Sequence, residues 1–272
     1  GAATLARDTV FAAVMIILNG LIGICLLIGG LRHREQSFQQ TGVSASLATL
    51  SALTVFSLVL PNYTVSEAGP VYSTSQLAFV AIVSVILYGT FVGVQTFRHR
   101  DYFLPPKEKV ANVDEHAERP TSRAAGLSFA LLLACLVAVV LLAKQLAAPV
   151  EQMVAEWGAP RALVGVIIAG LVLLPESVAA VRATLANRLQ TSLNLALGSA
   201  LATIGLTIPA VAALSIAMAM PIALGLDSKS MVLLMLTLLV SAQALATGKT
   251  TILQGVVHLV IFGVYLFTTI IP

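Results

Sequence analysis

Eight long apolar stretches constrain the fold of this chain more than any other feature of its sequence. They cover residues 9–31, 43–60, 76–97, 124–147, 162–185, 191–218, 230–246 and 251–271. A helix that crosses a bilayer needs about 20 consecutive apolar residues, and these continuous runs lack the alternating polarity of a membrane β-strand. The sequence therefore predicts an all-α integral membrane protein with eight transmembrane helices.

Composition supports the same class of protein. Only 10% of the 272 residues are charged and 58% are hydrophobic, whereas soluble domains contain about 25% charged residues. This balance excludes a soluble globular domain, a disordered chain and a nucleic-acid-binding protein. Cys25 and Cys135 lie inside apolar stretches, so we expect neither a disulfide nor a metal site from them.

The basic residues predict which loops face the cytoplasm. Eleven of the 15 Lys and Arg residues fall in alternate loops on one side of the membrane, and four fall on the other. Loops rich in Lys and Arg stay on the cytoplasmic side. We therefore expect a multi-pass membrane protein in which the long polar stretch 98–123 is a cytoplasmic linker.

The halves on either side of this linker resemble each other, which predicts an internal repeat. Residues 22–24, Ile-Gly-Ile, align with 204–206, Ile-Gly-Leu, and residues 87–89, Leu-Tyr-Gly, align with 261–263, Ile-Phe-Gly. Each match is short, but the matches occur in the same order along both halves. Spans one to three therefore pair with spans six to eight.

This pairing predicts how the chain is organised. We interpret residues 1–97 as an incomplete first repeat of three helices and residues 124–272 as a second repeat of five helices. A five-helix repeat inverts in the membrane, as in many secondary transporters, whose sites lie near the bilayer midplane. We expect at least two further helices of the same inverted-repeat bundle before the first residue of this chain.

Glu176 is the only acidic residue inside a predicted span. A charged carboxylate at mid-bilayer costs about 2.5–3.5 kcal/mol, so a functional role is the default hypothesis. Pro175 removes a backbone donor and frees carbonyl groups near Leu171 and Val172. These oxygens, the carboxylate and the Ser177 hydroxyl are hard ligands suited to calcium, sodium or a proton. The alternative is a protonated glutamate that extends to water at the cytoplasmic helix end.

Span six offers hydroxyl groups that could complete such a site. Ser192, Ser199 and Thr203 lie seven and four residues apart, so they share one helix face. Gly198 and Gly205 would let a neighbouring helix approach closely. The alternative is ordinary packing of small residues, with the hydroxyls bonded to their own helix.

Three other polar side chains lie in the spans. Asn19 is the one strongly polar side chain of span one. It is a ligand candidate, as the repeat counterpart of the span-six face, or else an amide that packs between helices. Gln243 and His258 we interpret as packing residues.

Several short motifs together carry a resemblance to a known family of membrane proteins. They are Leu-Pro-Glu at 174–176, Ala-Asn-Arg-Leu at 186–189, Leu-Gly-Ser-Ala at 197–200, Pro209 and the runs 248–255 and 94–103. The chain resembles the calcium/proton exchanger (CAX) branch of the calcium/cation antiporter superfamily, and in particular its bacterial sodium–potassium–calcium/proton antiporter type. The resemblance implies about eleven helices, of which this chain would hold the last eight.

The resemblance also implies an activity and a site. The activity is exchange of cytoplasmic Ca²⁺, and also Na⁺ or K⁺, for external protons by alternating access, with no cofactor and no enzymatic reaction. Glu176 would be the cation and proton ligand of the second repeat, Ser199 a neighbouring oxygen ligand and Asn19 the amide of the first repeat. The partners would be the transported ions, the lipid bilayer and the preceding helices, which would supply a first-repeat glutamate.

The sequence departs from the family pattern at three places. Val172 and Leu173 replace the asparagine before the glutamate, Ala202 replaces a glutamine, and Gln254 replaces the glutamate of the C-terminal run. Fewer oxygen ligands remain, which favours a second hypothesis, a mainly monovalent Na⁺ or K⁺/proton antiporter. A third hypothesis, from another class, is a passive channel or a membrane scaffold that transports nothing.

Overall fold

The fold, a computed structural model, describes residues 2–104, 121–160, 162–220 and 222–271. Within these ranges the chain is built almost entirely from helices. The α-helices are α1 (Ala2–Met15), α2 (Ile22–His33), α3 (Gln40–Thr54), α4 (Thr74–Gly93), α5 (Ser122–Glu156), α6 (Ala162–Leu185), α7 (Leu189–Met218), α8 (Ser228–Leu245) and α9 (Ile252–Ile270). The strands β1 (Gln36–Ser37) and β2 (Lys249–Thr250) form one short antiparallel pair.

Seven helical segments of the described chain are long and apolar enough to cross a membrane. They are Ala6–His33, Gln40–Tyr63, Thr74–Arg98, Ala162–Leu185, Leu189–Met218, Ser228–Leu245 and Ile252–Ile270. These segments match seven of the eight predicted spans and confirm the all-α transmembrane architecture. The remaining one, 124–147, falls within α5, where many side chains lie outside the described residues, so its role as a span stays a prediction.

The first membrane segment contains an irregular turn. The residues Ile16–Leu21 form a π-helical turn that joins α1 to α2 without a break. This segment is the most buried of the seven, with 78% of its apolar window inside the protein. It packs against α6, α7 and α9, and is therefore the central helix of the described bundle.

The contacts of two glycines fix the register of this central helix against α6. A Cβ atom added to Gly165 would lie 3.5 Å from the backbone nitrogen of Thr9, and one added to Gly29 would lie 3.1 Å from Cγ2 of Thr184. Both sequences increase in the same direction, so the two helices are parallel. Asn19, midway between Thr9 and Gly29, then lies level with residues 174–175, next to Glu176.

One end of the bundle is closed by polar contacts between loops, and we call it the strand end. Gln36 in β1 pairs with Thr250 in β2. The side-chain amide of Gln36 donates to the carbonyl of Thr184 at 3.2 Å and to Oδ1 of Asn187 at 3.0 Å. The loops after α2, α6 and α8, which the basic residues assigned to one side, therefore meet at one end. Which side of the membrane this end faces stays a prediction.

The boundaries of the predicted linker are described only in part. Residues 105–120 of the stretch 98–123 lie outside the described residues. The segment Arg100–Phe103 forms a 3-10 turn against the bundle, where the ring of Phe103 packs edge-on against Phe91. The division into two repeats and a linker stays a prediction.

Candidate functional site

The helical hairpin of α6 and α7 brings Glu176 to Ser199. Asn187 adopts a left-handed backbone conformation with φ of 59°, which reverses the chain between the two helices. Beside this reversal, the hydroxyls of Thr184 at the end of α6 and Ser192 in the first turn of α7 lie 2.8 Å apart. Two turns earlier in α6, the carboxyl group of Glu176 lies within hydrogen-bonding reach of the Ser199 hydroxyl. The structure therefore brings these two ligand candidates together, and their role in binding stays a prediction.

The Glu176 carboxyl group is not fully satisfied. Its Oε1 atom is buried and has no hydrogen-bond partner among the described residues. The ion pairs of the described chain are Arg7 with Asp8 and Lys249 with Glu35, so no basic side chain there neutralises it. A buried acceptor without a donor costs about 1–3 kcal/mol. A proton or a metal cation is the kind of ligand that would remove this cost.

Ser177 and Thr203 are placed differently from each other. The Ser177 hydroxyl donates to the carbonyl oxygen of Leu173 at 2.8 Å, within α6. Its proton is therefore donated within α6. Thr203 lies one turn beyond Ser199 on the same face of α7 and is half-buried. α6 continues through Pro175 as a helix.

Asn19 lies in a second polar group, which it forms with residues of α8 and α9. It sits in the π-helical turn and is 0% exposed. Its Nδ2 atom donates to Oγ1 of Thr237 in α8 at 2.8 Å, and its Oδ1 lies 3.2 Å from Nδ1 of His258 in α9. No hydrogen bond joins Asn19 to Glu176 in the described chain, although the helix register places them at one level.

Sequence reasoning missed part of this second group. His258 was interpreted as a packing residue, and Thr237 was not singled out at all. His258 is indeed 0% exposed, but it contacts a ligand candidate directly. Only the buried polarity of His258 in an apolar helix could have signalled this. Gln243, also interpreted as a packing residue, is exposed instead, because it lies near the end of α8.

Gln254, at the family's glutamate position, forms two hydrogen bonds that stabilise the start of α9. Its Oε1 accepts a hydrogen bond from the backbone nitrogen of Thr251 at 2.9 Å and so caps the start of α9. Its Nε2 donates to the carbonyl oxygen of Ala244 at 3.1 Å. A glutamate could not make the second bond when ionised, because it has no donor. In this chain the side chain therefore joins α8 to α9.

The opposite end of the bundle carries charged groups around a cavity of about 160 Å³. Arg7, Asp8, Asp227 and Lys229 contribute to its lining. The carboxyl of Asp227 caps α8 by accepting from the backbone nitrogen of Ser230. Burial acts to raise the pKa of Asp227, but the hydrogen bonds with Ser230 and the charge of Lys229 outweigh it and lower that pKa. This end is therefore charged at neutral pH.

Comparison with known proteins extends these observations. The profile of the family described as Sodium/calcium exchanger protein matches residues 1–97 and 127–271. The protein y4hA of Sinorhizobium fredii, named as a candidate ionic transporter, is 52% identical over 98% of this chain and 72% of its own length. The sodium-potassium/proton antiporter ChaA of Escherichia coli is 33% identical over 98% of this chain and 72% of its own length.

Two solved structures share the fold. That of native YfkE superposes with a TM-score of 0.75 and 16% identity, over 100% of this chain and 77% of that one. That of the H⁺/Ca²⁺ exchanger CAX superposes with a TM-score of 0.71 and 17% identity, over 97% of this chain and 65% of that one. At these identities the likeness shows the fold, and it confirms the expected transporter-type helix bundle.

Proposed function

We propose, since this chain belongs to the sodium/calcium exchanger protein family, that it acts as a secondary active antiporter exchanging cytoplasmic cations for external protons. It is a multi-pass membrane protein, and its relatives by name are transporters. The observation that carries the proposal is the pair of Glu176 and Ser199, in which Oε1 of Glu176 is buried and has no donor within the described part of the chain. The site needs no bound cofactor.

The proposed mechanism is competition for one carboxylate. Ionised Glu176 attracts a cation, and the Ser199 hydroxyl supplies a further oxygen ligand. Protonation of Glu176 cancels its charge and releases the cation, so the two ligands exclude each other. When the helix bundle rearranges, the occupied site opens to the other side of the membrane. We propose the inner membrane as its location, the strand end and linker as cytoplasmic, and preceding helices as the source of a paired glutamate.

We propose Ca²⁺ together with Na⁺ or K⁺ as the transported cations. Calcium takes six to eight oxygen ligands, so the number of oxygen ligands at the site bears on this choice. Two observations favour the second candidate function, a mainly monovalent antiporter. Gln254 is engaged in capping α9 rather than in the site, and the name of ChaA states sodium and potassium.

The test is exchange by the full-length protein in proton-loaded vesicles, with lumenal pH followed while Ca²⁺, Na⁺ or K⁺ is added outside. We expect proton release with at least one cation, and its loss in Glu176→Gln. The matched control is Glu151→Gln, the same substitution at an exposed position of α5, which should exchange like the wild type. Exchange retained in Glu176→Gln would refute the site.

A second measurement separates antiport from the remaining hypothesis. An outward proton gradient is imposed on vesicles that contain equal cation on both sides. An antiporter accumulates the cation against its gradient, whereas a passive channel or a scaffold cannot. Absence of accumulation with all three cations would reject the proposed function.

A further inference from the structure

Asn19, Thr237 and His258 form a polar cluster that is sealed from solvent, and we call it the Asn19 cluster. Each of the three residues is 0% exposed. They come from the π-helical turn, α8 and α9, so the cluster joins three membrane segments. Met15, also 0% exposed, adds a sulfur contact 3.7 Å from Nδ2 of Asn19.

The hydrogen positions in the Asn19 cluster follow from the chemistry of its neighbours. The Thr237 hydroxyl has one proton, and it donates that proton to the carbonyl oxygen of Leu233 at 2.7 Å. Towards Asn19 it can only accept, so the amide atom that faces it at 2.8 Å must be the nitrogen. The other amide atom, which faces His258, is therefore the oxygen.

This assignment also fixes the proton on the imidazole ring. Nδ1 of His258 lies 3.2 Å from Oδ1 of Asn19, and two acceptors cannot form a hydrogen bond. Nδ1 therefore carries the proton and donates it towards Asn19, and the backbone of Leu18 also lies within hydrogen-bonding reach of the ring. Nε2 then keeps a lone pair, and this atom is buried without a partner among the described residues.

Packing holds the ring in this position. A Cβ atom added to Gly23 would lie 3.1 Å from Cβ of His258, so α9 approaches α2 closely here. Because the Asn19 amide is bonded at both ends, turning its side chain would break two hydrogen bonds. Its oxygen still has a second lone pair, and it lies at the level of Glu176.

We infer that His258 and Thr237 are positioning residues, which hold the Asn19 amide in the single orientation that the cation site uses. The inference rests on the proposed function, in which Asn19 is a ligand candidate. Neither residue needs to touch the cation. They act on the affinity for the cation through Asn19, and the proposed competition at the Glu176 carboxylate does not require them.

Two pairs of variants test this role in the full-length protein. His258→Asn keeps an amide donor near the position of Nδ1, whereas His258→Gln moves the amide to the position of Nε2. Thr237→Ser keeps the hydroxyl, whereas Thr237→Val removes it. We expect His258→Gln and Thr237→Val to raise KM for the exchanged cation about tenfold, with kcat changed by less than about threefold. The matched variants His258→Asn and Thr237→Ser should retain most of the affinity for the cation.

The control is His33→Gln, because His33 lies at the strand end and bonds the carbonyl of Leu185 outside the cluster. KM is measured separately with Ca²⁺, Na⁺ and K⁺, and thermal unfolding of each variant is recorded. An unchanged KM in both disruptive variants would overturn the inference. An equal rise in KM in His258→Asn and His258→Gln would also overturn the inference, since only a structural role predicts that result.

A spectroscopic measurement decides the inference independently of transport. Nitrogen-15 NMR of the histidine-labelled full-length protein reports which ring nitrogen of His258 carries the proton. We expect the Nδ1–H form, with a shift that changes in Asn19→Ala. An Nε2–H form would refute the inference even if exchange is normal. Conversely, absent exchange with the expected Nδ1–H form would reject the proposed function and leave the hydrogen-bonded arrangement confirmed.

Discussion

Close contact between α2 and α9 at Gly255 yields a prediction about stability. A Cβ atom added there would lie 2.8 Å from Cα of Leu27 and 3.0 Å from the carbonyl oxygen of Gly23. Both are backbone atoms, which cannot move aside as a flexible side chain can. Overpacking of this kind costs about 1–3 kcal/mol, whereas replacing a helical glycine with alanine gains up to about 1 kcal/mol. We therefore expect Gly255→Ala to lose about 1–2 kcal/mol of stability.

The matched control is Gly263→Ala, two turns further along α9, where an added Cβ atom would meet no atom of a described residue within 4 Å. It should be neutral or slightly stabilising. Thermal unfolding in detergent measures both variants, and a loss of 1 kcal/mol corresponds to about 2–4 °C in a protein of this size. His258 lies three residues beyond Gly255, so Gly255→Ala should also raise KM for the cation. Equal melting temperatures for the two variants would refute the packing argument.

Three further outcomes follow from polar groups at the helix ends. Asp227→Ala should lose about 1 kcal/mol at neutral pH because it removes the cap of α8. Asp227→Asn keeps the cap. Because folding lowers the pKa of Asp227, the wild type should be more stable than this variant above about pH 3.9. This difference in stability should vanish as the pH falls further, which thermal unfolding at several pH values would show. Tyr72→Phe should lose about 1–3 kcal/mol, because the Tyr72 hydroxyl donates to the carbonyl of Phe56. Burial raises the pKa of Tyr72 to about 12, so its contribution should be present below about pH 10 and decline above it, which denaturant titrations at several pH values would check.

The apolar stretches predicted most of the fold because a membrane helix is specified by its own residues. The predicted span 162–185 has the same limits as α6, and 191–218 begins two residues inside α7. Helix starts depend on caps such as Asp227, which shifted the start of α8 to Ser228. The π-helical turn at Ile16–Leu21 could not be predicted, because the contacts that stabilise it come from distant helices.

The candidate site, too, could be predicted from the sequence only in part. Glu176 and Ser199 lie on one hairpin, so a short turn and two helical periods are enough to bring them together. Asn19 and His258 are separated by 239 positions, and their contact depends on how α2 packs against α9. Nothing in the local sequence of either residue specifies that packing. Glu176, Ser199 and Asn19 could therefore be named as candidates, but not the partners of Asn19.

Glu176 and Asn19 lie at one level of two parallel helices, yet their surroundings differ in a way that separates two tasks of an exchanger. The Asn19 amide has a partner at both ends, and an amide does not titrate, so it cannot respond to the proton gradient. Glu176 keeps a buried oxygen that no donor of the described segments reaches, and a carboxyl group can change its charge. In the proposed exchange, coupling between the two fluxes therefore depends on Glu176 and on the paired glutamate that preceding helices would supply. Because His258 is inferred to act on the cation through the Asn19 amide, variants of His258 should alter KM without uncoupling exchange from proton release.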